Sequence, residues 1–301
     1  MQLIDGTAAA NTWISEIAQR VQQHVNKGFQ TPHLAAVLIG SDGASQTYVN
    51  NKIKACKRAG FKSTLIHLND RVTQQELLQT IDQLNGNSEI TGFIVQLPLP
   101  SHINETEVIN QIDPNKDVDG FHPINVGRMV QNQPGLISAT PLGILKLLQH
   151  YNIKTEGQHC VIVGRSLIVG KPLSILLTRN AQPGNCTVTL CHSKTQHLES
   201  FTQTADILVC AMGQPEQITG AMISEKTIII DVGTTRVADS QNPKGYRLCG
   251  DVNFKSVASK CKAITPVPGG VGPMTIAMLL ANTLWSAESK AGISGPVDPV
   301  F

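Results

Sequence analysis

Apolar residues recur along this chain in two alternating rhythms. Over residues 7–27 the positions Ile14, Ile17, Val21 and Val25 fall three and four apart, the spacing of one helix face. Residues 33–40 read as a strand. Helix 44–60, strand 63–68, helix 73–84, strand 90–97 and helix 105–112 follow in turn. Thr73, with Glu76 three residues on, predicts a capping box at the start of helix 73–84. Residues 113–125, rich in Asp, Gly and Pro, read as a loop, and helix 141–151 comes next. The second half repeats the alternation: strand 159–163, helix 172–180, strand 187–191, helix 197–203, strand 206–210, a helical turn near 216–223 and strand 227–232. A strand near 262–266 and a long helix over 275–289 complete it.

Alternating strands and helices predict parallel sheets with helices on both faces. The expected fold class is α/β, as two three-layer domains with mostly parallel sheets and a cleft between them. The first domain is expected over 1–138, completed by helix 275–290, and the second over 139–268. Residues 291–301, broken by Gly and Pro, read as a tail.

Four segments carry candidate chemistry. In Cys160-Val-Ile-Val-Gly164-Arg-Ser-Leu-Ile-Val-Gly170-Lys-Pro172 a β-branched run stops at Gly164, and Pro172 opens an apolar helix pattern. Strand, glycine turn and helix N-terminus form the geometry that receives a dinucleotide pyrophosphate. The spacing departs from Gly-x-Gly-x-x-Gly, because Ser166 holds the second glycine position and Gly170 lies one residue late. Taken alone, the turn fits an ordinary strand-to-helix connection as well.

On helix 44–60, Val49, Ile53 and Cys56 form an apolar stripe and Lys54 and Arg58 point away from it. Tyr48 and Lys52 are an i, i+4 pair on the edge of the stripe. Lys52 reads either as a boundary lysine laid over apolar surface or as a partly desolvated lysine able to exchange protons. Gln96 sits near the carboxyl end of an apolar strand stopped by Pro98 and Pro100. It is either a satisfied core amide or a ligand group, since ligands bind beyond the carboxyl ends of parallel strands. Asp113, Asp117 and Asp119 crowd one loop, whose spacing is not that of an EF-hand. Asp119, before Gly120, falls where the interdomain cleft is expected. The glycine-rich run 264–275 is either an interdomain turn or a row of backbone N–H groups near a ligand.

Composition narrows the classes. A chain of 301 residues is long enough for two cores, and its formal net charge of +2 gives no reason to expect a nucleic-acid binder. Aromatic residues make up only 4%, too few for a base-stacking surface. No apolar run approaches the roughly 18 residues of a membrane helix. The N-terminal Met-Gln-Leu-Ile-Asp-Gly-Thr resembles no signal peptide. Seven scattered cysteines form no Cys-x-x-Cys and no zinc pattern, which favours a reducing cytoplasm; no metal site is expected.

Six segments stand in order: Tyr48-Val-Asn-Asn-Lys52, Gln96-Leu-Pro-Leu-Pro100, Lys116-Asp-Val-Asp-Gly-Phe-His122, Gly164-Arg-Ser with Val-Gly170-Lys-Pro172, Cys191-His-Ser-Lys-Thr195, and Thr265-Pro-Val-Pro-Gly-Gly-Val-Gly-Pro-Met-Thr275. Together they resemble the bifunctional methylenetetrahydrofolate dehydrogenase/methenyltetrahydrofolate cyclohydrolase family over nearly the whole chain. The resemblance implies a Rossmann-like second domain that binds NADP, a folate cleft and a homodimer formed through the cofactor domains. It places catalysis on Lys52, Gln96 and Tyr48. Folate binding falls on these three with Leu97, Pro98, Asp119, Pro268, Gly269 and Gly272. Cofactor binding falls on Gly164, Arg165, Ser166, Gly170, His192, Ser193 and Thr234. Two departures stand out: Ala139 replaces a common cysteine, and Thr234 replaces a common aliphatic residue.

The implied chemistry is oxidation of 5,10-methylenetetrahydrofolate, then hydrolysis to 10-formyltetrahydrofolate. Lys52 would carry the proton, Gln96 would hold Lys52, Asp119 would pair with the donor edge of the pterin and Tyr48 would wall the ring. NADP is expected over NAD because strand 187–191 ends in His192-Ser-Lys-Thr195 without an acid, the next being Glu199 inside a helix pattern, while Arg165 and a serine suit a 2′-phosphate; the alternative is that Arg165 and Lys194 are ordinary surface charges. Another two-domain NADP-dependent dehydrogenase, of the shikimate type, is the alternative enzyme. A catalytically silent nucleotide-binding relative is the alternative outside enzymes.

Overall fold

The structure, a computed structural model, describes residues 1–243 and 245–293. The chain opens with β1 (Gln2–Leu3) and α1 (Gly6–Asn26). Then come β2 (His33–Ile39), α2 (Gly43–Ala59), β3 (Lys62–Leu68), α3 (Gln74–Gly86), β4 (Gly92–Val95), α4 (Glu105–Gln111) and α5 (Pro123–Val130). α6 (Ala139–His150) leads into β5 (His159–Val163), α7 (Gly170–Thr178), β6 (Thr187–Cys191), α8 (Leu198–Thr202), β7 (Ile207–Cys210) and β8 (Ile228–Asp231). A short 3-10 turn (Gly220–Met222), within the helical turn expected near 216–223, precedes β8, and β9 (Thr235–Ala238), β10 (Tyr246–Cys249), α9 (Phe254–Val257), β11 (Ala263–Ile264) and α10 (Val271–Lys290) complete the described elements.

Two compact units result. One comprises Met1–Ala10 and Thr140–Thr275; the other comprises Asn11–Ala139 and the chain from Ile276. The expected boundaries differ at the N-terminus. Residues 1–10 group with the nucleotide-type unit because β1 pairs in parallel with β11, at Gln2 with Ala263 and Leu3 with Ile264. Two-residue strands with a partner so remote in sequence leave no local pattern to read. Most of the expected tail, 294–301, lies outside the described residues.

The Lys52-bearing unit is built on the parallel sheet β3-β2-β4. Its core joins β2 and β4 to α3 through Val37, Phe93, Leu77 and Ile81, all fully buried. The capping box at Thr73 forms with Glu76. Beyond β4, the segment 116–118 runs alongside as an extra parallel strip: Phe93 N donates to Lys116 O at 2.9 Å, and Asp117 bridges Phe93. Gly92 lets this strip approach, since a Cβ there would lie 2.2 Å from Val118 Cγ1. Lys116 Nζ closes the end of α3 by donating to the carbonyls of Leu84, Asn85 and Asn87 at 2.7–2.8 Å.

The other unit is a six-stranded parallel sheet in the order β1-β11-β8-β7-β5-β6, with an antiparallel hairpin β9–β10 beside it. The chain enters at β5, adds β6 on one side and then turns back to add β7 and β8 on the other. That reversal is a topological switch point of a Rossmann-like sheet, where ligands settle beyond the carboxyl ends of the strands. No helix among the described residues is long and apolar enough to cross a membrane.

Candidate active site

Helix α2 is set by its ends. Asp42 accepts from Ser45 N at 2.7 Å at the start, and Gly60 takes the left-handed conformation (φ 77°) that ends it. That phase turns Lys52 inward: it is 4% exposed, while Lys54 on the same helix is exposed. Lys52 Nζ donates to Gln96 Oε1 at 3.1 Å and lies 4.7 Å from the ring centre of Tyr48. Lys52 is thus buried rather than laid over the surface.

Gln96 continues the pairing of β4, its backbone N–H donating to Val37 O at 2.9 Å. Its side-chain Nε2 donates to Leu97 O at 2.7 Å, which leaves Oε1 facing the lysine. The following Leu97–Pro98 bond is cis.

Asp119 reaches the same place through a braced turn. Asp117, buried, accepts from Phe121 N (3.2 Å), His122 N (2.8 Å) and Asn125 Nδ2 (2.9 Å), and burial pushes its carboxyl up to about 6. Gly120 has φ 72° and its Cβ would lie 2.4 Å from Ile137 C, so only glycine passes there. On α10, Asn282 Nδ2 donates to Val118 O and Ile137 O, tying both flanks of that crossing. The loop expected at 113–125 thus divides. Lys116 and Asp117 hold the frame, Pro123 starts α5 with His122 as its cap, and Asp119 is the carboxylate coupled to Lys52.

The charges of this pair oppose burial. Desolvation lowers the Lys52 pKa and outweighs the opposite push from Asp119. Burial raises the Asp119 carboxyl, again against the pull of the Lys52 ammonium. Both shifts favour the uncharged forms, so Lys52 releases a proton more readily than a solvated lysine does.

The second constellation lies in the nucleotide-type unit. A groove of about 600 Å³ opens beyond the carboxyl ends of β5, β6 and β7 at the switch point. Gly164, Arg165 and Ser166 form one wall, His192, Ser193 and Thr195 a second, and residues between Ala211 and Ile218 a third. A Cβ on Gly164 would lie 2.1 Å from Ala211 O, and one on Gly170 1.8 Å from Gly164 O, so side chains are excluded from both sides of this turn. Ser166 Oγ accepts from Val169 N at 3.1 Å and Gly170 N at 3.4 Å, capping the start of α7. His192 Nδ1 accepts from Lys194 N at 3.2 Å, which leaves Nε2 as the donor of that ring. A guanidinium, hydroxyls, an imidazole donor and a glycine turn at a helix start match a phosphate-bearing dinucleotide.

The expected residues distribute as follows. Tyr48, Lys52, Gln96 and Asp119 converge in one unit, with Leu97 and Pro98 beside Gln96. Gly164, Arg165, Ser166, His192 and Ser193 line the groove of the other. Gly170 stands behind the turn, and Thr234 is exposed and lies outside the groove lining. Pro268, Gly269 and Gly272 belong to the nucleotide-type unit; the first two precede α10 and Gly272 lies in its first turn. Glu199, read as part of a helix pattern, stands in α8 and lines the groove. The wall 211–218 was not read as part of the site; its one signal was a glycine loop at the end of a strand next to the switch point.

Models of two domains match the chain. They are the tetrahydrofolate dehydrogenase/cyclohydrolase catalytic domain over residues 4–119 and the NAD(P)-binding domain of the same enzymes over 138–291. The chain belongs to the tetrahydrofolate dehydrogenase/cyclohydrolase family. It is 53% identical to the bifunctional protein FolD of Porphyromonas gingivalis, over 95% of this chain and 97% of that protein. Among solved structures, the FolD methylenetetrahydrofolate dehydrogenase/cyclohydrolase of Campylobacter jejuni is similar with a TM-score of 0.90 at 44% identity, over 96% of this chain and 99% of that one. The Trypanosoma brucei enzyme, solved with NADP and an inhibitor, gives 0.91 at 36% identity, over 96% and 98%. Shikimate dehydrogenase of Thermus thermophilus, at 12% identity and a TM-score of 0.52, shares the fold alone.

Proposed function

We propose that this chain oxidises 5,10-methylenetetrahydrofolate to 5,10-methenyltetrahydrofolate with NADP, then hydrolyses the product to 10-formyltetrahydrofolate, with Lys52 as the proton carrier of the second step. The observation that carries the assignment of roles is the buried Lys52 ammonium, hydrogen-bonded to Gln96 and coupled to Asp119. The Trypanosoma relative, solved with NADP, supports the cofactor.

NADP, when bound in the groove, supplies the acceptor for the hydride leaving the methylene carbon. The residues of the chain do the rest. Arg165 and Ser193 hold the phosphorylated ribose. Asp119 accepts hydrogen bonds from the amide and amine donors of the pterin and fixes the ring. Tyr48 walls it. In the hydrolytic step the cationic methenyl carbon takes up water, and one proton must leave as the carbon–nitrogen ring bond opens. Lys52, lowered in pKa by burial and lowered further beside a cationic ligand, accepts and returns protons there. Gln96 keeps Nζ directed at that carbon rather than at solvent.

The same reading gives a homodimer formed through the cofactor-binding units, located in the cytoplasm and supplying one-carbon units for purine biosynthesis. Steady-state assays of both steps with Lys52→Met and Gln96→Ala test the assignment. The reading expects hydrolysis to fall in both variants with NADP affinity kept. Hydrolysis at the wild-type rate in Lys52→Met overturns it.

A further inference from the structure

Two buried carboxylates take no part in the proposed chemistry. Asp231 ends β8 and is 4% exposed; Asp251 follows β10 and is fully buried. Among the described residues no salt bridge involves either. Six backbone amides satisfy them instead. Asp251 Oδ2 accepts from Met212 N (2.6 Å) and Gly213 N (3.2 Å), and its Oδ1 from Gln214 N (2.8 Å). Asp231 Oδ1 accepts from Gly233 N (3.1 Å) and from Asp251 N (2.9 Å), and its Oδ2 from Val252 N (3.0 Å). The two side chains form a relay in which Asp231 holds the backbone that presents Asp251, and Asp251 holds 212–214.

The backbone around the relay is shaped to it. A Cβ on Gly250 would lie 1.8 Å from Asp231 Oδ2, and one on Gly233 would lie 2.4 Å from Asp251 Oδ1. Glycine at both positions lets the carboxylates come this close. The strip around Asp251 also pairs with the next stretch of chain: Glu216 N donates to Gly250 O, Ile218 N to Asp251 O, and Asn253 N to Ile218 O, at 2.8–3.0 Å. Met212, Gln214, Gln217 and Ile218 are the third wall of the groove at the switch point. That wall has no helix or strand of its own to hold it.

We infer that Asp251, presented by Asp231, is a positioning residue for the dinucleotide site, holding residues 212–218 in the shape that receives the cofactor. The inference rests on the groove being the cofactor site. A carboxylate is the group suited to this task, because each oxygen can gather more than one amide donor and neither carries a hydrogen that would repel them. An amide in its place turns an N–H toward one of the loop's own N–H groups.

Direct titration of NADP into the purified chain, without substrate, tests the inference on wild type and Asp251→Asn. Thermal melts on the same samples report folding, and the affinity for the folate substrate is measured alongside. Expected is a rise in the NADP dissociation constant of about tenfold or more, as for loss of a charge-assisted buried acceptor, with folate affinity kept within about threefold. A lower melting temperature with unchanged NADP affinity makes the aspartate a purely structural residue and overturns the inference. Absence of NADP binding in the wild type would instead remove the cofactor reading itself. If Asp251→Asn does not fold, amide exchange in the wild type decides. The N–H groups of Met212, Gly213 and Gln214 must exchange far more slowly than exposed-loop amides in the cofactor-free protein, and exchange at the exposed rate overturns the inference.

Discussion

Replacing Lys52 by Met keeps the apolar stem and removes only the ammonium. Two consequences follow from the geometry. Gln96 Oε1 loses the donor 3.1 Å away and stays partly buried, a cost of about 1–3 kcal/mol to the folded state for an unsatisfied acceptor. Asp119 loses the positive charge that pulls its pKa down while keeping the burial that pushes it up, so its carboxyl titrates higher still. The larger effect is on rate. A positioned general acid–base contributes about 10²–10⁴-fold, which corresponds to about 2.7–5.4 kcal/mol of barrier. Hydrolysis of 5,10-methenyltetrahydrofolate, followed by loss of its absorbance, is therefore expected to slow by about 10²-fold or more. NADP titration should give the wild-type affinity, because the nucleotide groove has no residue from this helix. The pH profile adds a sign. The acting form of Lys52 as a base is the neutral amine, so wild-type hydrolysis rises with pH through its folded-state pKa, which burial places below 10.5. The rise should be absent in Lys52→Met. A variant that hydrolyses within about threefold of wild type, with the same pH profile, would refute the reasoning.

Asp119→Asn keeps the shape and loses the charge-assisted pair with the pterin; folate affinity should weaken by about 1.5–3 kcal/mol, and calorimetric titration giving wild-type affinity would count against the role. Arg165→Ala should raise KM for NADP far more than for NAD, whereas equal rises would remove the guanidinium from the 2′-phosphate. Glu199 lines the same groove, and Glu199→Gln should strengthen NADP binding by up to about fivefold, the scale of an exposed charge interaction; weaker binding would mean that it contacts a donor instead. Burial raises Asp231 from 3.8 to about 7, so the folded state binds more protons than the unfolded chain in that window and stability contributed by this group falls as pH rises from 3.8 to about 7. Denaturant titrations should show that slope flattened in Asp231→Asn; an unchanged slope would contradict the assignment.

The elements legible in the chain were those with their own local signature. Strands 159–163 and 187–191 stand at the expected residues because β-branched runs are bounded by turn residues on both sides. The capping box at Thr73 was readable because both partners lie within four residues. The start of α5, residues 123–125, was read as loop and the rest was left unassigned, although Pro123 after His122 is a helix-start signal; Asp, Gly and Pro around it outweighed that mark. α10 starts at Val271 rather than 275 because Gly272 and Pro273 are tolerated in a first turn whose amides need no helical partner. The hairpin β9–β10 was missed because each strand is only four residues long and only one face of each is covered. Lys52 remained ambiguous for a different reason. A helical wheel places it at the edge of a stripe, but its burial comes from Gln96 and from the turn at Gly120, which lie far along the chain. The Asp231–Asp251 relay was invisible for the same cause, since its ligands are backbone amides that carry no residue identity.

The most direct test follows both steps in one reaction. Purified chain is mixed with 5,10-methylenetetrahydrofolate and NADP, and NADPH and methenyl absorbance are recorded together, for wild type and Lys52→Met. The account predicts NADPH formation in both proteins, with methenyl absorbance transient in the wild type and accumulating in the variant. NADPH formation abolished in Lys52→Met, or methenyl decay at the wild-type rate in it, would contradict the division of labour assigned to this site.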